Sequence, residues 1–553
     1  MDRNNLDPEP EPRAGRRFSR RHALHQGGTG LAAAALTTVG VARTTATATA
    51  AAQDATPVVD AGALPAEIRA IIEAPRYRFA RWGIHVADRA TGEIIHDLAG
   101  GQRFLAASTT KLFSGSAALD AYGPDHQFET PVYRQGDITA AGELRGDLVL
   151  VASGDLTMGG RDTPDGHIAF TPIDHINANA LPLATLTTED PLAGLDDLAR
   201  QVAAAGIRHV ARDVMVDARL FPAMEKDDYI LTPIWINDNL IDLTITPGDV
   251  GAAATIDWRP QTAAYEVQGE VQTVAASEVL DVSVTSPRPG QITVAGQIPI
   301  DQTQLVRTHQ VEDPPALART LLIEALGRQG VTVAAAPTGA NPAEQLPTEG
   351  SYTPANRVAV HRSLPFSENM TLIQKTSHNQ HADMLIFLLA LQHGETSFEA
   401  GMTQIHAFLE RIGLDPAEVS LSDGRGNEYT DLFSPRTVSD LLRALATRPE
   451  FPVFVDALPT LGVDGTETET VSPTSPVRGK AVAKSGTTVA GDLMNQRPLL
   501  MTRAIAGYVT ASSGRELTFA VYVNDVPLVE LVDDIFAIIK EQGTIIEAIY
   551  AQH

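Results

Sequence analysis

Ser108 and Lys111 stand three residues apart in Ala107-Ser108-Thr109-Thr110-Lys111-Leu112-Phe113. On a helix that spacing brings both side chains to one face, within reach of a shared hydrogen bond. A serine hydroxyl beside a lysine amine is a nucleophile beside its base, which is what acyl transfer needs. The apolar residues that follow, Leu112, Phe113, Ala117, Ala118 and Leu119, predict a buried helix with Ser108 in its first turn, where the positive end of the macrodipole favours an oxyanion. Taken singly, Ser-x-x-Lys also fits a helix N-cap followed by a solvated lysine.

Lysine is scarce, which makes each one informative: it occurs only at 111, 226, 375, 480, 484 and 540. Lys484 opens Lys484-Ser485-Gly486-Thr487, and Lys375 precedes Ser377-His378-Asn379. Three small-polar motifs are thus each marked by a lysine. Each alone reads equally well as a cap or a strand-end turn.

These motifs need a scaffold, and the length provides for one. At 553 residues two or three domains are expected, and 43% hydrophobic content is enough for packed cores. The formal charge of -26 argues against nucleic acid and anionic lipid as partners, since both reward a basic face. There is no cysteine, which excludes disulfides, thiolate metal sites, a cysteine nucleophile and a lipidated N-terminal cysteine.

Residues 1–55 read as a twin-arginine-type signal peptide and disordered tract. Arg16-Arg17 and Ser19-Arg20-Arg21-His22-Ala23-Leu24 precede a weakly apolar run from Gly27 to Ala42, then an Ala/Thr tract with sites such as Ala48-Thr49-Ala50. The run is too short and polar to span a bilayer. Export to the cell envelope, with no transmembrane anchor in the mature chain, is the expectation.

From about Leu64 the chain looks globular. Trp82 to Asp88 and Glu93 to His96 predict a hairpin around Ala90-Thr91-Gly92, directly before the Ser108 helix. Residues 127–354 are mostly short β runs with two helical stretches, Leu195 to Ala205 and Pro315 to Arg328, and read as an inserted β-rich domain or domains placed away from the pocket. Helical sequence resumes at Met370, and Arg503 to Asn524 predicts a second hairpin before an apolar-striped helix from Leu528 to about Tyr550. Residues 60–126 and 355–553 together form the expected catalytic domain.

Ser108-x-x-Lys111, Ser377-x-Asn379 and Lys484-Ser485-Gly486 stand in the order of the three motifs of penicillin-recognising serine enzymes. The long gap between the first two resembles the low-molecular-mass class C penicillin-binding proteins, the D-alanyl-D-alanine carboxypeptidase and endopeptidase family. Gly154-Asp155-Leu156-Thr157 is similar to that family's Gly-Asp-Pro-Thr, and Val216-Asp217, Gly296-Gln297-Ile298-Pro299, Asp313-Pro314 and Asp464-Gly465-Thr466 also look like its landmarks. Two departures stand out. Asp423-Gly424-Arg425-Gly426-Asn427-Glu428 replaces the usual Asp-Gly-Ser-Gly-Leu-Ser, and Ser485 replaces the commoner threonine.

The resemblance implies an α/β protein with a β-lactamase/transpeptidase-like core, an antiparallel sheet between helices, interrupted by the insertion. It implies a serine-type D-Ala-D-Ala carboxypeptidase, also an endopeptidase on D-amino-acid crosslinks, acting on peptidoglycan stem peptides and inhibited by β-lactams. Ser108 would form an acyl-enzyme and Lys111 would take its proton. Lys111 must then be neutral, through burial or a second cation, for which Lys484 is the candidate. Ser377 would relay the proton to the leaving amine, Asn379 would hold the substrate amide, and the Ser108 and Thr487 N–H groups would form the oxyanion hole. Ser485 and Thr487, with Lys484, would bind the terminal carboxylate, with Gly486 between them. Two rivals remain, a β-lactamase and a catalytically silent peptidoglycan- or β-lactam-binding module.

No cofactor is expected. His378 and His381 are three apart, yet no third ligand has suitable spacing, and Asp423 to Asp431 lacks the register of a calcium loop, so no metal is expected either.

Overall fold

The computed structural model describes residues 64–227 and 229–553. The targeting segment read at residues 1–55 lies outside the described residues. Two distant stretches of chain build one antiparallel sheet from strands β1 (Arg81–Asp88), β2 (Ile94–Leu98), β3 (Ala481–Asp492), β4 (Arg497–Thr510) and β5 (Glu516–Pro527), in the order β2-β1-β5-β4-β3. The predicted hairpins are the β1–β2 and β4–β5 pairs, and residues from opposite ends of the sequence meet where Ile84 pairs with Val521.

Side chains of a strand alternate between faces, so the buried sets sort by parity. Ile505, Val521 and Val523 pack with Ile538, Ile545 and Ile549 of helix α5 (Leu531–Gln552), whose stripe recurs at helical spacing. Ala504, Ala506 and Tyr522 face the other way, onto α1 (Lys111–Tyr122), α2 (Phe366–Lys375), α3 (Asn379–Leu391) and α4 (Pro435–Leu445). The sheet therefore lies between helical layers. On β3 the same alternation directs Lys484 and Gly486 to the α1 side, and Ser485 and Thr487 to the α5 side.

Ser108 differs from its expected place: it sits in a 3₁₀ turn, Ala107–Thr110, that leads into α1. Side chains three apart eclipse on a 3₁₀ turn, so the contact with Lys111 survives the difference.

Among the described residues the long middle segment builds five further sheets, three of them with long strands. Four strands align as Arg357–Arg362, Glu129–Gln135, Asp147–Val151 and Val214–Asp217. Leu240–Thr246 lies between Thr255–Arg259 and Leu305–Gln310, and Gln291–Pro299 between Glu266–Val274 and Asp281–Arg288. Helices Ala193–Ala204 and Pro314–Arg328 pack into the same apolar cluster. Strand pairing carries this segment to Arg362, past the boundary at 355 read from the sequence.

The segment is also not wholly away from the pocket. Tyr229 Oη donates to Asp383 on α3 at 2.8 Å, and Asp238 reaches His381 at 2.7 Å. Trp235, fully buried, packs edge-on against His381. The α3 helix is apolar nearly all round, so it needs cover on the side the core helices leave open.

Candidate active site

Lys111 Nζ lies 2.8 Å from Ser108 Oγ, 2.7 Å from Asn379 Oδ1 and 3.0 Å from the Arg425 carbonyl. A neutral amine has two N–H donors and one lone pair. The two carbonyl oxygens take both donors, which leaves the lone pair aimed at the Ser108 hydroxyl. Burial, with the Lys484 charge second, holds the Lys111 pKa well below its ordinary value. The base form that the chemistry needs is thus favoured where it is needed.

The loop that departs from the family pattern supplies one of those oxygens. Asp423 accepts from the backbone N–H groups of Arg425 and Asn427, each at 3.0 Å, and so ties the loop into a compact turn. A Cβ on Gly426 would lie 1.8 Å from the Ala107 carbonyl, so glycine alone fits there. Arg425 contributes its backbone to Lys111, while its buried guanidinium lies 3.5 Å from Asp383 and over the Tyr229 ring. An arginine can replace the family serine because the site uses the carbonyl.

Ser377 occupies the break between α2 and α3, with φ of +62°. A side chain in that left-handed region is strained, and persists only where its surroundings fix it. Lys484 Nζ donates to Ser377 Oγ at 2.9 Å and to the Ser485 carbonyl at 2.7 Å. Burial and the neighbouring Arg503 lower the Lys484 pKa to about 7, against the pull of Glu467. Lys111, Ser377, Asn379 and Lys484 therefore converge on Ser108, although 268 residues separate Lys111 from Asn379 and 107 separate Ser377 from Lys484.

Gly486 and Thr487 extend the strand past the nucleophile. A Cβ on Gly486 would lie 2.4 Å from the Ser108 nitrogen, which makes Gly486 the point of closest approach between β3 and the serine turn. Ser485 Oγ donates to Glu467, so a substrate carboxylate must compete for that proton. Sequence reasoning missed Arg503. It pairs with Thr487 across the sheet, donates to Thr487 Oγ1 at 3.0 Å and lies 3.4 Å from buried Glu467. No motif marks an arginine on a neighbouring strand; only strand register brings it here.

His378 and His381 find the third partner that spacing did not reveal. Their rings stack at 3.6 Å, and both face Asp238 of the middle segment. His378 Nδ1 accepts from the His381 backbone N–H at 3.3 Å, and His378 Nε2 lies 3.3 Å from Asp238 without a hydrogen bond. The cluster brings two histidines and a carboxylate within ligand reach of one another, with the Arg161 guanidinium on the same carboxylate.

The D-Ala-D-Ala carboxypeptidase 3 (S13) family model matches residues 64–536. The chain belongs to this family. Its reaction class is that of a serine D-Ala-D-Ala carboxypeptidase. A D-alanyl-D-alanine carboxypeptidase of Actinomadura sp. (strain R39) is 29% identical over 488 residues, 83% of this chain and 80% of that one. D-alanyl-D-alanine carboxypeptidase DacB of Haemophilus influenzae is 25% identical over 461 residues, covering 78% and 83%. The fold is that of penicillin-binding protein 4 (dacB) from Haemophilus influenzae, at a TM-score of 0.64 and 21% identity over 88% of this chain and 99% of that one. Among the described residues no helix is long and apolar enough to cross a membrane.

Proposed function

We propose that Ser108 is the acylated nucleophile, that neutral Lys111 removes its proton, and that the substrate is a peptidoglycan stem peptide ending in D-Ala-D-Ala. The observation that carries this reading is the three-way contact of Lys111 Nζ, which leaves its lone pair for the Ser108 hydroxyl. Attack on the penultimate carbonyl builds charge on its oxygen, which the Ser108 and Thr487 N–H groups receive. The proton held by Lys111 passes through Ser377, whose hydroxyl bonds Lys484, to the departing D-alanine nitrogen. Asn379 orients both Lys111 and the substrate amide.

The terminal carboxylate meets Lys484 and reaches the Thr487 hydroxyl, backed by the Arg503 guanidinium, round the free edge of β3, which ends the sheet. This carboxylate preference supports exopeptidase action, and endopeptidase action on D-amino-acid crosslinks uses the same bond chemistry. β-Lactams act as acylating inhibitors at Ser108. The twin-arginine segment in the sequence supports export to the cell envelope.

Mass spectrometry of the mature protein after mixing with penicillin, beside a Ser108→Ala variant, tests the reading. One lasting penicilloyl group on Ser108, absent from the variant, is the expected result. Penicillin consumed without a lasting adduct would instead mark a β-lactamase, and neither adduct nor turnover a silent binding module.

A further inference from the structure

Behind Ser377, on the side away from Ser108, lies a buried ionic network that the chemistry above does not use. Arg161 donates to both oxygens of Asp174, at 2.9 and 2.7 Å, and to Asp238 Oδ2 at 2.8 Å. His175 bridges Asp238 and Asp242 at 2.7 Å each, and Arg259 donates to Asp242 at 3.0 Å. Three carboxylates therefore face two guanidiniums and one imidazole. Against its burial, Asp242 and Asp174 raise the His175 pKa to about 10, which favours a charged imidazole among the three carboxylates.

Asp238 is the member that leaves the network and reaches the catalytic turn. Its Oδ1 accepts from His381 Nε2 at 2.7 Å and faces His378 Nε2 at 3.3 Å. His378 is the residue between Ser377 and Asn379, and its Nδ1 caps α3. Asp238 is itself held in an unusual backbone: Asn237, Asp238 and Asn239 have φ of 52°, 54° and 53°. Side-chain bonds close this stretch from both ends, Asn239 Nδ2 to the Ile234 carbonyl and Asn237 Nδ2 to the Leu240 carbonyl. A rigid loop thus presents one carboxylate to two histidines, 378 and 381, that follow a strained serine.

We infer that Asp238 is a positioning residue for the reaction: through His378 and His381 it holds the Ser377-His378-Asn379 turn in the left-handed conformation that aims the Ser377 hydroxyl. This rests on the reading of Ser377 as proton relay. The local turn alone cannot supply this restraint, because a non-glycine residue with φ of +62° relaxes when its neighbours allow it. The two histidines turn that local strain into a fixed geometry, and they do so only while the middle segment is docked on α3.

The test uses the mature protein and three variants. His378→Asn keeps a capping oxygen for α3 but is too short to reach Asp238, whereas His378→Gln places an amide N–H where Nε2 stood. Ser377→Ala removes the relay itself. Two quantities are measured: hydrogen exchange of the amides from 374 to 382, and kcat/KM on a D-Ala-D-Ala peptide against its thioester analogue. A thiolate leaves without a proton, so only the amide substrate needs an aimed Ser377.

In His378→Asn, exchange across the turn is expected to accelerate while amide turnover falls roughly tenfold or more and thioester turnover is nearly unchanged. His378→Gln, which gives up the α3 cap but keeps the reach to Asp238, should restore the amide-to-thioester ratio. Exchange unaltered in His378→Asn would overturn the inference, as would equal losses on both substrates. Wild-type amide turnover in Ser377→Ala would overturn the relay reading instead, and the exchange data would still decide whether Asp238 holds the turn.

Discussion

Gly486 and Ser108 are in backbone contact: a methyl group on Gly486 would lie 2.4 Å from the Ser108 nitrogen and 3.0 Å from the Ala106 carbonyl. The strand that carries Lys484 and the turn that carries the nucleophile are thereby packed too closely for any side chain at 486. Gly486→Ala should push them apart and misplace one N–H donor. Losing such a donor costs about a hundredfold or more in rate. The second-order rate of penicillin acylation measures this, and a loss below about threefold would remove the strand N–H from the mechanism.

Lys111 is expected to act by giving up its charge, and the substitution that separates charge from basicity is Lys111→Arg. A guanidinium remains protonated at every working pH. Acylation should therefore fall by about 10² to 10⁴ in Lys111→Arg, close to the loss in Lys111→Ala. An arginine variant that keeps most of the rate would show that positive charge, rather than a lone pair, is what Ser108 requires.

The pH profile should carry the signature of Lys484, whose pKa burial lowers to about 7. Below that value the amine is charged and attracts the substrate carboxylate; as pH rises through it, the charge is lost. For a peptide with a free C-terminus, kcat/KM should decline on an alkaline limb that begins near pH 7. Lys484→Arg should shift that limb upward by several pH units, since arginine ionises above about pH 12. A limb that stays in place would assign it to another group.

Ser377 has φ of +62°, so glycine and alanine differ there for a backbone reason. Both Ser377→Gly and Ser377→Ala remove the hydroxyl and should lose activity alike. Glycine should leave the protein about 1–2 kcal/mol more stable than alanine, which pays the left-handed strain. Denaturant melts of the two variants give the comparison, and equal midpoints would contradict the strained turn.

Arg503→Ala leaves Glu467 fully buried with the hydroxyls of Ser485, Thr470 and Thr466 and without its guanidinium partner. Breaking a buried pair from one side costs about 3–5 kcal/mol. A lowered thermal midpoint is expected together with a raised KM for free-carboxylate substrates, because Thr487 loses its support. Adding Glu467→Gln should recover part of the stability without the KM. If it recovers both, Arg503 acts only through Glu467.

The chemistry was legible in the sequence because it depends on residue type and short spacing. Ser108 and Lys111 meet whether their turn is α or 3₁₀, and the scarcity of lysine singled out Lys375 and Lys484 beside the other two motifs. The strands and helices of the core were legible for the same reason: period-2 and period-3.6 burial is written locally. Register and docking are not local. Arg503 stands beside Thr487 only because β3 and β4 pair as they do, and Asp238 meets His378 and His381 only because the middle segment packs on α3. The sequence alone determined which residue types stand in the three motifs; which residues hold them, and at what angle, was decided by tertiary contacts between stretches of chain that no periodicity links.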